Sequence, residues 1–190
     1  MKSRLTNELK KINTSLRKAF GRSDIRRWRK PGELSPDWDS RTEIMAKYIP
    51  ENASIIEFGA GRLVLKSFLP KGCTYTPSDI VDRGEGTKVI DLNRHPLPEI
   101  DNYDYAVFSG VLEYINNVPL IISHFSKYIN AFIISYAIAD NHPSDRGIHG
   151  WGNNYKEVEI ISLFTVQNYE LINKDTWGKQ AIFVFKKTIL

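Results

Sequence analysis

The sequence predicts an α/β chain: a mostly parallel, seven-stranded sheet with helices on both faces and a reversed C-terminal strand. Three observations carry this. Short β-rich runs alternate with helical stretches from residue 54 to about residue 136, a rhythm that implies right-handed crossovers between parallel strands. A glycine turn, Gly59-Ala60-Gly61, joins the first of these runs to a helix-compatible one. Near the C-terminus, runs at 169–173 and 180–185 flank Asp175-Thr176-Trp177-Gly178 and read as a hairpin, which adds one antiparallel member.

The first 32 residues read as a basic amphipathic arm and residues 33–190 as the domain that follows it. Met1, Leu5, Leu9, Ile12, Leu16 and Phe20 recur at intervals of four or three, one face of a helix. Lys2, Arg4, Lys10, Lys11, Arg17 and Lys18 mostly fill the other faces, and Gly21 is a plausible stop. A second cluster, Arg26-Arg27-Trp28-Arg29-Lys30, ends at Pro31-Gly32. Residues 1–30 hold eleven Lys and Arg against Glu8 and Asp24, a net +9; the whole chain is +4, so residues 31–190 carry −5. Two readings stand. The arm meets an anionic membrane surface or, less readily, nucleic acid, or its apolar face packs on the domain while its lysines face water.

A turn-rich junction at 32–37 leads to a helix over about 39–48, with Asp39 or Ser40 as its cap and Ile44, Met45 and Tyr48 facing inward. The first strand begins at Ser54 and reaches the glycine turn, followed by a helix over 63–69. Strands follow at 73–76, 87–90, 103–108 and 131–136, with a helix over about 117–128 between the last two. Asp79 lies just past the second strand, and Gly84-Glu85-Gly86 forms a loop. A final helix over about 155–164 precedes the hairpin.

The single cysteine, Cys73, excludes an internal disulfide and disfavours a structural zinc site. A reducing cytoplasm is the expected compartment, with peripheral membrane attachment through the arm compatible with it. No apolar run approaches the roughly 18–20 residues of a membrane-spanning helix; the run from Ala131 to Ala139 reads as a buried strand.

Polar residues fall at four successive strand ends. Glu57 with Gly59 and Gly61 comes first, then Asp79, then Asp91, then Ser109. In an open α/β sheet these ends line one crevice where ligands bind. Asp79, about 20 residues past the glycine turn, is placed to accept both hydroxyls of a ribose. Asp91, one strand further out, is placed to accept from an exocyclic adenine amine. A nicotinamide-binding fingerprint fits less well, because its last small residue would fall at Val64.

On these residues the chain resembles the class I S-adenosylmethionine-dependent methyltransferases, over about residues 40–187. Ile55-Ile56-Glu57-Phe58-Gly59-Ala60-Gly61 resembles that family's first motif, and Asp79 stands where its ribose-binding acid does. Asp91-Leu92 resembles the adenine-contacting pair after the third strand. Phe108-Ser109-Gly110-Val111-Leu112-Glu113-Tyr114-Ile115 resembles the segment that lines the methionine end. The resemblance implies a Rossmann-like sheet, S-adenosylmethionine as cofactor, and cofactor contacts from Glu57, Phe58, Gly59, Ala60, Gly61, Asp79, Asp91, Leu92, Ser109 and Gly110. It implies for Glu57 a place under the turn, ordering the glycine backbone and the methionine end. Two departures stand out: Leu63 occupies the third small position of the first motif, and Tyr114 replaces a frequent histidine.

Methyl transfer to a hydroxyl or amine also needs a proton removed. The candidates are Tyr114 and residues of the Gly-rich loop 141–152, a segment placed to be a lid or substrate wall. Within it His149 is the preferred base and Asp145 the second, with His142 and Trp151 nearby. Arg146 either binds an anionic acceptor or faces solvent, and His124 reads as structural. The expected activity is methyl transfer to a small-molecule, glycan or lipid-linked acceptor. The alternative is a catalytically degenerate relative that serves as a scaffold, its arm contacting membrane or nucleic acid. No metal site is expected.

Overall fold

The structure is a computed structural model that describes residues 2–84, 86–141 and 146–188. Its elements run α1 (Lys2–Ala19), α2 (Ile25–Trp28), α3 (Asp39–Ala46), β1 (Ser54–Phe58), α4 (Leu65–Phe68), β2 (Thr74–Asp79), β3 (Lys88–Val89), β4 (Tyr103–Ser109), α5 (Val118–Phe125), β5 (Ile129–Tyr136), α6 (Glu157–Thr165), β6 (Tyr169–Trp177) and β7 (Gln180–Lys187). Short 3₁₀ turns at Pro31–Glu33, Pro36–Trp38, Leu112–Tyr114, Ala139–Asn141 and Arg146–His149 connect them. Met1, Glu85, His142 and Asp145 lie outside the described residues, so the expectations placed on them are not carried further.

The seven strands form one sheet in the order β3-β2-β1-β4-β5-β7-β6. β1 pairs in parallel with β2 and β4, and β5 pairs in parallel with β4. β7 is antiparallel to both β5 and β6. The predicted sheet, with its reversed C-terminal strand, is therefore present. Because successive strand residues point to opposite faces, the neighbours Ile55 and Ile56 serve two cores. Ile56, Phe58, Ala106, Phe108, Phe132 and Ile134 pack with α5 and α6, and Ile55, Val107, Ile133 and Val184 pack with Met45, Ala46 and Leu65 of α3 and α4. Phe58 stacks on Phe108 and touches Phe125, each at 4.7 Å between ring centres.

Four local expectations change. The helix after the glycine turn is a single turn, Leu65–Phe68, since residues up to Val64 are spent on the turn itself and Leu69-Pro70 ends it. Neither Asp39 nor Ser40 caps α3: Trp38 is at its N-cap without a side-chain bond, Asp39 pairs with Arg62, and Ser40 Oγ accepts from Trp177 Nε1. β2 is longer than expected and includes Asp79. Residues 175–177 belong to β6, leaving only Gly178 and Lys179 in the hairpin turn.

The arm reverses the expected packing. Leu5, Leu9, Ile12, Leu16 and Phe20 of the α1 stripe are exposed, whereas Thr14 on the opposite side is buried. The hydroxyl of Thr14 donates to Gly147 O at 2.9 Å, so α1 rests on the Arg146–His149 turn by its polar face. The reading in which the apolar face packs inward is thereby corrected. Hydrogen-bonding side chains at 14 and 17 find partners below the helix that leucines could not supply.

Candidate active site

The turn after β1 owes its shape to three left-handed residues. Gly59, Gly61 and Leu63 have φ of 73°, 53° and 61°. A Cβ at Gly59 would lie 2.4 Å from Val111 Cγ2, so glycine is required there for space as well as conformation. At the third position Leu63 carries a branched side chain on a left-handed backbone, at a steric cost. Two bonds tie the turn to the end of β2: Ala60 N–H donates to Ser78 O at 3.0 Å and Gly61 N–H to Asp79 Oδ2 at 2.9 Å.

Asp79 therefore performs part of the work expected of Glu57. It is 4% exposed, and its Oδ1 accepts from Val81 N–H and from the guanidinium of Arg83, both at 3.1 Å. Glu57 lies beneath the turn and accepts from Tyr75 Oη at 2.5 Å. Burial pushes its carboxyl up to about 8, opposed by the Tyr75 hydrogen bond and Arg41 and reinforced by the nearby charge of Asp79. At neutral pH this carboxyl retains much of its proton.

At the third strand end Asp91 accepts from Ser23 Oγ at 2.6 Å and from Asn93 N–H at 3.0 Å. Asn93 is a hub: its amide donates to Ser23 Oγ and Tyr114 O, and its carbonyl accepts from Asn116 N–H. At the fourth, Ser109 meets Arg41 of α3. The guanidinium donates through Nε to Ser109 Oγ at 3.0 Å, through a second nitrogen to Ser109 O at 3.0 Å, and through the third to Gln180 Oε1 at 2.9 Å. Gly110 makes room for it, since a Cβ there would sit 2.5 Å from the guanidinium.

These four strand ends open into one cavity of about 350 Å³. Each residue expected to contact cofactor lines it: Glu57 to Gly61, Asp79, Asp91, Leu92, Ser109 and Gly110. Three of its lining residues carry buried polar atoms without a protein partner, namely Ser78 Oγ, Arg83 Nε and Asn116 Nδ2. Left so, such atoms cost free energy, and a polar ligand relieves that cost. Among the described residues no cluster of metal-ligating side chains occurs.

The far wall belongs to the arm and the loop after β5. Thr14, Arg17, Ser23, Arg27 and Trp28 line the cavity together with Tyr114, His149 and Trp151. Trp28 meets Tyr114 edge-to-face at 5.0 Å, and Arg27 donates to His149 O at 2.7 Å while pairing with Glu33. The ring of His149 lies 4.8 Å from that of Trp151. Partial burial, then the charges of Arg27, Arg146 and Lys10, lower the His149 pKa, so the imidazole is neutral near pH 7. Burial raises the pKa of Tyr114, which keeps its phenol protonated and suits it to donate rather than to act as a base.

Arg146 fits neither of its expected roles. It is buried and donates to Ala137 O at 2.6 Å, Asn153 O at 2.9 Å and Tyr136 Oη at 3.1 Å. It thus ties residues 136–137 to Asn153 beneath Trp151, whose ring lies 4.7 Å from the guanidinium. His124 lies outside the site, its Nε2 2.9 Å from Pro98 O and its ring against Phe125 and Tyr128. Sequence reasoning missed Arg41, Ser23 and Asn93. Only Asn93, two residues after Asp91, stood near a motif; nothing local marks an arginine on α3.

The comparisons agree with this geometry. Residues 27–176 match the family described as a methyltransferase domain, and the chain belongs to that family. Its structural neighbours are class I S-adenosylmethionine-dependent methyltransferases. The 1,6-didemethyltoxoflavin-N1-methyltransferase of Burkholderia thailandensis, solved with 1,6-didemethyltoxoflavin and S-adenosylhomocysteine, is similar with a TM-score of 0.63 and 16% identity, over 81% of this chain and 79% of that one. A chain from the complex of the Haloferax volcanii Trm112 methyltransferase activator with a methyltransferase gives 0.66 and 12%, over 91% and 96%. The O-methyltransferase NcsB1 of neocarzinostatin biosynthesis, solved with S-adenosylmethionine and 2-hydroxy-5-methyl naphthoic acid, gives 0.58 and 15%, over 79% of this chain and 56% of its own length. At these identities the likeness is one of fold. No curated protein sequence matches the chain.

Proposed function

We propose that the protein transfers a methyl group from S-adenosylmethionine to a hydroxyl or amine of a small-molecule acceptor. The observation that carries this is the convergence of four strand ends in one cavity, each with a group suited to a different part of the cofactor. The class and its neighbours' ligands support the same reading. Asp79 and Asp91 would accept from the ribose and the adenine amine. The amino-acid end is zwitterionic: the Arg41 guanidinium beside Ser109-Gly110 would meet its carboxylate, and its ammonium would draw the proton off Glu57 and face the carboxylate so formed. Bound, the cofactor supplies an activated methyl on a positively charged sulfur.

The chain's own part is positioning and proton transfer. Trp28, Tyr114 and Trp151 form an aromatic wall that holds a flat or apolar acceptor and excludes water from the transfer. His149, neutral in this setting, would accept the proton that the acceptor's hydroxyl or amine gives up when the methyl leaves sulfur for it. Tyr114 donates a hydrogen bond that orients the acceptor. A glycan or lipid-linked acceptor uses the same chemistry.

Titration calorimetry with S-adenosylmethionine tests the cofactor assignment. Asp79→Ala and Gly59→Arg are each expected to abolish the heat of binding. Retained affinity in both variants would show the pocket to be elsewhere. Cofactor binding with no methyl transfer to a panel of phenols, amines and sugars would favour the scaffold reading instead.

A further inference from the structure

Helix α1 is oriented inside out for a helix that meets water. Amphipathic helices in globular proteins turn their apolar stripe to the core and their polar face outward. Here Thr14, on the polar side, is 7% exposed and bonded to Gly147, and the stem of Lys11 packs on that glycine. The opposite side presents Leu5, Leu9, Ile12, Leu16 and Phe20, exposed by 67%, 54%, 54%, 50% and 69%. Fifteen residues separate the first from the last, a continuous apolar stripe about 22 Å long. Contiguous exposed apolar surface of this kind marks a contact site.

Charge identifies the contact. Arg4 and Lys10 stand on the sides of the helix, and Arg22, Arg26, Arg29 and Lys30 follow in the next stretch, within an arm of net +9. A leucine stripe between basic flanks matches the boundary of an anionic bilayer, where side chains enter the acyl region and cations meet headgroups. A second copy of the same helix would set +9 against +9 at close range. Nucleic acid would satisfy the cations and leave the leucines without a partner. The rest of the chain, at −5, is repelled by the same lipid surface, which fixes the orientation.

We propose that α1 is an interfacial membrane helix that binds anionic lipid by its Leu5-Leu9-Ile12-Leu16-Phe20 face. Its other face already forms one wall of the active-site cavity through Thr14, Arg17 and Lys18. Docking therefore holds the cavity one helix diameter, roughly 10 Å, from the lipid–water boundary.

Flotation of the full-length chain with phosphatidylcholine vesicles, with and without phosphatidylglycerol, tests the proposal. The chain is expected to float only with the anionic vesicles and to be released by high salt. Leu9→Gln with Leu16→Gln, both surface changes, should lower partitioning by at least about tenfold, with thermal unfolding and cofactor calorimetry unchanged. Absence from the floated fraction would overturn the proposal, as would undiminished flotation of the double variant. So would sedimentation showing a dimer that the double variant dissolves, since the stripe would then belong to a second copy.

Discussion

Ser23 donates to Asp91 at 2.6 Å across 68 residues of sequence, joining the basic arm to the end of the third strand. The arm is thus attached to the residue assigned to the adenine. Asn93 reinforces the junction through the same serine.

Asp91→Ala is expected to do two things at once. Cofactor affinity falls by about tenfold, the usual order for one charge-assisted hydrogen bond. The arm loosens as well, and trypsin should cut at Arg22 and Arg26 faster than in the parent chain. Calorimetry and limited proteolysis read the two effects, and an unaltered digestion pattern would mean that the Ser23 bond does not hold the arm.

Leu63, at φ 61°, sits in a conformation that costs a side-chain-bearing residue about 1 kcal/mol or more. Substitution here should reverse the ordinary order of alanine over glycine. Both variants lose the leucine side chain, but only Leu63→Gly loses the strain. We expect it to be about 1 kcal/mol more stable than Leu63→Ala, measured by urea unfolding.

Glu57 makes stability depend on pH. Its carboxyl rises from 4.5 to about 8 on folding, so between those values the folded chain keeps a proton the unfolded chain has released. Stability contributed by this group is therefore full below the lower value, declines as pH rises through the window, and levels off above it. In the cofactor-free protein, Glu57→Gln should remove this decline. Melting curves across the window that fall equally for both proteins would exclude it.

As the proposed base, His149 should give the activity an acidic limb. Its folded pKa is lowered below 6.5, so it remains neutral, and able to accept a proton, to lower pH than an exposed histidine would. The rate should fall only below that ordinary value. His149→Gln should lose the limb and about a hundredfold in rate, with the cofactor dissociation constant unchanged. Retention of the limb in the variant would assign it to another group.

The strands, the hairpin and the crevice were legible because they rest on local pattern. A period-two run bounded by turn residues declares a strand, and an acid or glycine pair at its end declares which edge is polar. Arg41 and Ser23 were not legible, since each reaches its partner across 68 residues and nothing in the neighbouring sequence registers such a contact. Arg146 was misread for a related reason. In sequence it is a cation in a polar loop, whereas in the fold it is surrounded by carbonyl oxygens of segments on either side.

The sequence by itself determined that α1 is amphipathic, that the sheet is doubly covered, and that Glu57, Asp79, Asp91 and Ser109 share an edge. Periodicity and turn chemistry suffice for each of these. Only the tertiary structure decided which way α1 faces. Periodicity defines two faces of a helix but not the neighbour each one meets. Here Gly147 and Asp91 offer hydrogen-bond partners below the arm. The polar side turned inward to take them, and the leucines were left outside.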